Sequence, residues 1–466
     1  MHKSIQSRNE RGRLRDLIAF LRHEGAETAP GIAAALGISQ PTVSRLLSAA
    51  GDQVLRIGKA RATRYALSRT LGRAGRRWPL FRLRPDGCAE TLGDLHAMHG
   101  DGFLFVPQSA RPVLVHGEFA DGVFPGLPWF LDDQRPRGFL GHAFARRVAE
   151  DIGAPQDLQR WQPDDVVLSL LRHGDDQPGD LVLGEFALQR AQQAALQPAD
   201  ALEKAQRSQH YPQRADAVLR GEAVGSSAGG EQPKFTAILH TEGGYTAVIV
   251  KFSERAGTPA AQRWSDLLRC EHLASDILRA HGIAAAESEL LESDGRVFLQ
   301  STRFDRTPVL GRRGFVSLAA VDAAYFGHGR IDWWSFAPQL QRDGWLSDAD
   351  AQRLRVCGWF GALIANNDMH LGNAGLMLDD ALPLALAPIY DMLPMAFRPA
   401  ASGEVVERAY VLPLPTPDQR DDWRAAAGMA VPFWERVIED VHVSAAFHSI
   451  ARDALAQLTR AVSRIG

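Results

Sequence analysis

Two charged residues interrupt apolar patterns at positions where a charge is costly to bury. Lys251 lies within residues 246–252, an alternating apolar segment that predicts a β-strand. Glu271 falls within the apolar stripe of a helix predicted over residues 264–278. A carboxylate on a buried face is strongly unfavourable unless a cation pairs with it. We therefore expect a Lys251–Glu271 ion pair between strand and helix. The alternative is a partly exposed helix edge on which Glu271 pairs with Arg269 or another local arginine.

A second polar cluster follows a predicted helix in the C-terminal third of the chain. In residues 366–373, Asn-Asn-Asp-Met-His-Leu-Gly-Asn, Asp368 precedes Asn373 by five positions, and Asp391 follows eighteen positions after Asn373. The intervening strands, predicted over 374–378 and 383–390 with a turn between them, form a hairpin. Antiparallel pairing returns the chain to its start, so we expect Asp391 to lie near Asn373.

These residue types are the ones that phosphoryl transfer requires. One carboxylate must orient the acceptor hydroxyl, and oxygen ligands must hold the Mg²⁺ that accompanies ATP. We expect Asp368 to be the catalytic carboxylate, and Asn373 and Asp391 to bind Mg²⁺. We expect His370 to assist by bracing the loop through hydrogen bonds rather than by acting as a base.

A glycine- and serine-rich loop precedes the strand that carries Lys251. Residues 225–235 read Gly-Ser-Ser-Ala-Gly-Gly-Glu-Gln-Pro-Lys-Phe, and glycines let a backbone approach phosphates closely. Glu231 stands where a Walker A loop requires lysine, and a surface turn would look similar. The hairpin predicted after the loop brings Lys251 towards the phosphates of ATP. The predicted nucleotide contacts are Ser227, Gly229, Gly230, Lys234, Lys251 and Glu271.

The N-terminus is basic, with 15 Lys and Arg against 5 Asp and Glu in residues 1–78, whereas the whole chain has a net charge of −3. Residues 29–47 predict a helix, a turn at Gly37 and a second helix that Ser39 caps. Residues 54–67 alternate as a β-hairpin does. The outward-facing residues of the second helix and of the hairpin tip are Gln40, Thr42, Ser44, Arg45, Lys59, Arg61 and Arg64.

This N-terminal pattern is similar to the winged helix-turn-helix of bacterial transcription regulators. Small polar and arginine side chains at the start of a second helix suit base edges in a major groove, and a basic hairpin suits phosphates. We expect this module to bind DNA. A helical domain with a solvated basic face, or a protein-docking module, would show much of the same pattern.

The remaining sequence limits the cellular setting more than the chemistry. Cys88, Cys270 and Cys357 are scattered and form no CxxC pair, which fits a reducing cytoplasm. No apolar run approaches the roughly 20 residues that span a bilayer. Residues 136–144 are interpreted as irregular and residues 188–220 as a polar helix or connector, and neither segment suggests any chemistry.

Four motifs together resemble the HipA family of toxin kinases. They are residues 367–373, residues 389–391 (Ile-Tyr-Asp), the loop at 227–234 and the Arg-Phe-Asp-Arg segment at 303–306. The resemblance extends over roughly residues 80–440. It implies an α+β, two-lobed fold akin to phosphatidylinositol-kinase-like enzymes, with a mostly helical C-terminal lobe.

The resemblance also implies a domain organisation. The N-terminal winged helix-turn-helix is expected over residues 1–78, the N-terminal kinase lobe over 79–305 and the C-terminal lobe over 306–466. Typical members depend on a separate DNA-binding antitoxin, whereas this chain resembles the single-chain subgroup in which regulator and kinase are fused.

The activity that the resemblance implies is Mg²⁺- and ATP-dependent phosphorylation of protein serine or threonine. Asp368 would be the catalytic aspartate, and Ser227 stands where the family has an autophosphorylated serine. The implied partners are a protein acceptor, such as an aminoacyl-tRNA synthetase or another translation component, a DNA operator and an antitoxin. Winged helices often act as dimers on two half-sites, so we expect a homodimer.

Two other functions are compatible with the same residues. One is a transcription regulator whose kinase-like domain senses a ligand or nucleotide. The retention of Lys251, Glu271, Asp368, Asn373 and Asp391 argues against it, because a sensor would not need the full set. The other is a small-molecule kinase, which differs only in its acceptor.

Overall fold

The computed structural model describes residues 2–108, 111–221 and 232–465. It begins with a small N-terminal unit of three helices and a three-stranded sheet. Its strands form a sheet in the order β1-β3-β2, and Leu17, Ile32 and Val43 lie in its core. Gly37 ends α2 with φ at +62°, a conformation that glycine adopts without strain. The elements are α1 (His2–Glu24), β1 (Glu27–Thr28), α2 (Ala29–Leu36), α3 (Gln40–Ala50), β2 (Val54–Ile57) and β3 (Arg64–Leu67).

A five-stranded antiparallel sheet follows, in the order β7-β6-β5-β4-β8. The irregular structure predicted for residues 136–144 is wrong, because a helix begins at Gly138. The elements are β4 (Arg77–Leu83), β5 (Ala89–Ala97), β6 (Phe103–Pro107), β7 (Val123–Phe124), α4 (Gly138–Ile152), α5 (Pro163–His173), β8 (Leu181–Leu183) and α6 (Glu185–Leu196).

A second five-stranded sheet, in the order β12-β13-β11-β10-β9, carries the predicted Lys251 strand at its centre. The predicted hairpin is confirmed as β10 and β11, which place Lys234 opposite Lys251. Residues 188–220 contain two helices and a short strand rather than one connector. The elements are β9 (Leu202–Glu203), α7 (Arg207–Leu219), β10 (Lys234–Thr241), β11 (Gly244–Phe252), α8 (Pro259–Ala280), β12 (Ser288–Ser293) and β13 (Arg296–Thr302).

The C-terminal part is mostly helical, and a three-stranded sheet in the order β14-β15-β16 is set into it. The predicted hairpin forms, but its second strand covers only two residues. Ser347 caps α11 by accepting the Asp350 N–H at 3.2 Å. The elements are β14 (Val316–Ser317), α9 (Leu318–Tyr325), α10 (Trp333–Arg342), α11 (Asp348–Leu363), β15 (Gly375–Met377), β16 (Ala385–Leu386), α12 (Arg420–Glu439) and α13 (Ala445–Ile465).

The N-terminal hairpin packs against the first large sheet. Leu55, Ile57 and Ala66 share a small core with Met98 and Leu104. In addition, Ser68 and Met98 form an antiparallel bridge. The hairpin is therefore joined to the sheet by both apolar contacts and backbone pairing.

Ion pairs of two buried arginines join the segment after β13 to the turn before β8. Arg303 binds Asp305 through two hydrogen bonds of 3.0 Å, and Arg306 donates to the same carboxylate at 2.7 Å. Both arginines also contact Asp176, at 2.9 and 2.8 Å. Although burial opposes it, Arg303 and Arg306 hold the pKa of Asp305 well below its ordinary value.

Within the described residues, no helix is both long enough and apolar enough to cross a membrane.

We predict that Asp305→Asn lowers the free energy of unfolding by about 3–5 kcal/mol at pH 7, because it leaves two buried guanidinium groups short of one carboxylate. Urea unfolding measures the change. Asp294→Asn is the matched control, since Asp294 lies on the surface and binds the exposed Arg255. Equal effects of the two substitutions would contradict the prediction.

Candidate active site

Lys251 joins two carboxylates from different parts of the chain. Its Nζ atom lies 2.6 Å from Glu271 Oε1, so the ion pair expected from the sequence is confirmed. The same Nζ atom also binds Asp391 Oδ1, a contact that was not predicted. The alternative partner Arg269 binds Glu292 instead. The strand β11, the helix α8 and the segment after β16 therefore meet at one ammonium group.

The three groups differ in how their surroundings affect ionisation. Burial raises the pKa of Glu271, and the attraction of Lys251 opposes but does not cancel this effect. Burial also acts on Asp391, but there Lys251 and Lys234 outweigh it and lower the pKa. Asp391 and Glu271 in turn raise the pKa of Lys251 against its own burial. Asp391 is thus held as a carboxylate by two lysines.

The loop after α11 is ordered by its own polar side chains. The Asp368 N–H donates to Asn366 Oδ1 at 3.1 Å. Asn373 Nδ2 donates to the Asp368 carbonyl at 2.8 Å, which leaves Asn373 Oδ1 as the amide atom able to bind a cation. The Asp368 side chain is half-buried and takes no part in these bonds. These hydrogen bonds therefore fix the backbone around Asp368 and do not involve its carboxylate.

Two hydrogen bonds bring the Asp391 segment back to this loop. Asn366 Nδ2 donates to the Asp391 carbonyl at 3.2 Å, and the Tyr390 hydroxyl donates to the Gly372 carbonyl at 2.8 Å. Asp391 has φ at +54°, an uncommon conformation for a residue other than glycine. Such strain persists only where neighbouring contacts over-determine it, and it concentrates at functional sites. The expected return of Asp391 to the Asn373 loop is confirmed by these contacts.

His370 braces the loop, as expected from the sequence. Its Nδ1 atom accepts the Gly372 N–H at 3.1 Å, at the start of the short 3₁₀ turn Leu371–Asn373. This bond fixes the turn that presents Asn373.

The glycine-rich loop falls mostly outside the described residues. Ser227, Gly229 and Gly230 belong to that part, so their predicted roles stay predictions. Lys234 is described: it is buried at the start of β10, opposite Lys251. Its charge opposes the rise that burial causes in the pKa of Glu271 and helps to lower the pKa of Asp391, which places it at the same cluster.

The donor atoms fit a magnesium nucleotide. Within the described residues, no group of three or more His, Cys, Asp or Glu side chains forms a metal cluster. Mg²⁺ does not need one, because it is usually bound through one or two protein oxygens together with phosphates and water. Asn373 Oδ1 and the Asp391 carboxylate are such oxygens. Glu271 Oε2, moreover, is buried without a hydrogen-bond partner in the described part of the chain.

The residues predicted to contact DNA lie in the N-terminal unit. Gln40, Ser44 and Arg45 are exposed on the first turns of α3, and Thr42 is half-buried. Ser39 occupies the N-cap position of α3, but its hydroxyl contacts the Thr42 hydroxyl instead of a backbone N–H.

The hairpin residues are less uniform than predicted. Lys59 is exposed, whereas Arg64 already pairs with Asp121 at 2.5 Å. The side chain of Arg61 lies outside the described part. The basic charge of the hairpin is therefore partly neutralised by the first large sheet.

Comparisons with known proteins place this site in a family. Residues 226–461 match the HipA-like C-terminal domain, and residues 74–192 match the middle domain of YjjJ-like toxins. The chain is also 39% identical over 451 residues to the toxin YjjJ of Escherichia coli K12, which covers 95% of this chain and 98% of that protein. The chain therefore belongs to the family of HipA-like toxins.

A solved structure supports the fold. The chain is similar to a chain in the complex of Shewanella oneidensis HipA and HipB with their operator DNA, with a TM-score of 0.50 and 17% identity. The match covers 83% of this chain and 96% of that one. At this level of identity the likeness concerns the fold alone.

We predict that Lys251→Met lowers the free energy of unfolding by about 3–5 kcal/mol at pH 7, because the buried carboxylate of Glu271 and the half-buried carboxylate of Asp391 lose their shared cation. Burial already raises the pKa of Glu271, and loss of Lys251 removes a charge that opposes this rise, so the folded variant takes up a proton on Glu271 as the pH falls. The deficit relative to wild type should therefore shrink between pH 7 and pH 5.

Urea unfolding at the two pH values measures this effect. Lys204→Met is the control, since Lys204 forms an exposed pair with Glu289. A deficit of the same size at both pH values would show that burial of the carboxylates is not its cause.

Proposed function

We propose that this protein is a Mg²⁺- and ATP-dependent serine/threonine protein kinase of the HipA type. The single observation that carries the proposal is the junction at Lys251, where Glu271 and Asp391 meet beside the Asp368–Asn373 loop. A lysine–glutamate pair that positions phosphates, next to a carboxylate and an amide oxygen for Mg²⁺, is the set that kinases require. Membership of the HipA-like family supports the same reading.

Each residue then has a chemical task. Lys251 and Lys234 would neutralise the phosphates of ATP, and Glu271 would orient Lys251. Asn373 and Asp391 would hold Mg²⁺, which when bound would neutralise negative charge on the phosphates. The acceptor oxygen forms a bond to the γ-phosphorus while the bond to the ADP oxygen breaks. The hydroxyl proton passes to Asp368.

Autophosphorylation at Ser227 is part of this proposal. A phosphate there adds about two negative charges and three acceptor oxygens to the glycine-rich loop. Such a loop would repel the phosphates of ATP, so the modification would oppose nucleotide binding.

The N-terminal unit is proposed to be a winged helix-turn-helix that binds operator DNA through α3. Its support is the exposed polar and basic start of that helix and the excess of positive charge. The Shewanella protein of similar fold was solved with HipB and operator DNA, which makes an antitoxin and a DNA operator natural partners to test. A homodimer and a translation-related protein acceptor are proposed with it.

We predict that Asp368→Ala abolishes phosphotransfer, because the acceptor hydroxyl loses its carboxylate, while nucleotide binding is retained. Purified full-length protein is incubated with γ-labelled ATP and Mg²⁺, and phosphosites are mapped by mass spectrometry. Label on Ser227 in wild type only is the expected result.

Asp453→Ala is the control, since this exposed aspartate lies on the helix α13. Activity in Asp368→Ala equal to wild type would overturn the catalytic assignment. Wild type that binds no nucleotide would favour the alternative, a transcription regulator with a ligand-sensing kinase-like domain.

We predict that Arg45→Ala weakens DNA binding by about 1–3 kcal/mol if Arg45 contacts a base edge. Binding to upstream promoter fragments is measured by fluorescence anisotropy at several salt concentrations. Arg22→Ala, an exposed arginine at the end of α1, should leave the affinity nearly unchanged. Equal losses in both variants would indicate a diffuse charge effect rather than recognition by α3.

A further inference from the structure

A buried arginine from the segment after β6 binds the backbone of the turn between β15 and β16. Arg111, only 2% exposed, comes from the segment after β6. Its Nη2 atom donates to the Leu378 carbonyl at 2.8 Å and its Nε atom to the Asp379 carbonyl at 3.4 Å. One guanidinium group thus binds two successive carbonyl groups of the turn.

A second arginine reaches the same turn from β4. Arg82 Nη1 lies 2.9 Å from Asp380 Oδ1, while its other nitrogens bind Glu90. The Arg111 Nε atom is also 3.3 Å from Asp380 Oδ1. The backbone adds a further contact, since the Val113 N–H donates to the Asp380 carbonyl at 3.2 Å.

Both arginines belong to the first large sheet and its connections. Arg111 is paired on its other side with the buried carboxylate of Asp180, at 3.4 Å, next to β8. Burial raises the pKa of Asp180, and Arg111 and Arg82 oppose this effect. The arginines are therefore fixed to the middle domain, and the turn is fixed to them.

The two ends of the clamped hairpin carry the predicted metal ligands. Asn373 lies directly before β15, and Asp391 follows β16. The ladder between the strands has only two residue pairs, Leu376–Leu386 and Met377–Ala385. So short a ladder holds its ends only together with the contacts around it, such as the Ala285–Ile389 bridge and the hydrogen bond from Asn366 to the Asp391 carbonyl.

We propose that Arg111 and Arg82 are positioning residues through which the middle domain holds Asn373 and Asp391 in place for Mg²⁺. This inference rests on the proposed function, since it concerns the same metal. It assigns the first large sheet and its connections a role in phosphotransfer, through two arginines that contact the hairpin turn.

The test is Mg²⁺-dependent binding of ADP to the full-length protein, measured by calorimetry. We expect Arg111→Met to need about tenfold more Mg²⁺ for half-maximal enhancement of ADP binding, as loss of a partner behind a metal ligand typically does. ADP binding without Mg²⁺ should be unchanged. Arg84→Met is the control, since Arg84 follows β4 and pairs with Asp86 on the surface.

Asp380→Asn provides a second, milder variant, because the Asp380 side chain is half-exposed and the backbone acceptors for Arg111 remain. It should shift the Mg²⁺ requirement in the same direction by a smaller factor, and amide hydrogen exchange in residues 375–391 should quicken. This variant decides the question if Arg111→Met does not fold.

Two results would overturn the inference. One is a wild-type Mg²⁺ requirement in Asp380→Asn together with a folded, unaffected Arg111→Met. The other is an equal loss of ADP binding with and without Mg²⁺, which would indicate a merely structural role. Failure of the proposed function looks different, because wild type itself would then show no Mg²⁺-dependent ADP binding.

Discussion

The buried ammonium group of Lys251 is the contact on which the rest of the site depends. It extends from the central strand β11 and contacts both the long helix α8 and the segment beyond the small hairpin. A charge in such a place is stable only if its partners are present, so the ion cluster links the folding of both lobes. Neither carboxylate can be removed without leaving the other charges unbalanced.

Two kinds of interaction hold the site: ion pairs within the cluster and neutral hydrogen bonds around it. Within the cluster, opposite charges fix distances and keep Asp391 ionised. Around it, neutral hydrogen bonds from Asn366, Tyr390 and His370 hold the backbone of the loop. The electrostatic part suits the cation and phosphates of the proposed ligand, while the neutral hydrogen bonds shape the loop.

Several of these features could be predicted from the sequence because burial makes local patterns informative. Glu271 in an apolar stripe required a cation, and Gly37 between two apolar helices required a turn; both are confirmed. The contact of Lys251 with Asp391 joins residues 140 positions apart, and no local pattern reports it. The helix α4 was missed because Pro136 lies just before it and two glycines, Gly138 and Gly141, lie in its first turn. The contacts of Arg82 and Arg111 with the hairpin turn were missed because a single sequence does not distinguish buried arginines from exposed ones.

The apolar contact between the N-terminal hairpin and the first large sheet limits how this chain can be rebuilt. Met98 and Leu104 of the sheet region pack with Leu55, Ile57 and Ala66 of the hairpin in one small core. An N-terminal unit transplanted from another protein would expose these two side chains to water unless its hairpin offered matching small and branched residues. The unit is therefore not a detachable module: its replacement has to be designed together with the sheet that receives it.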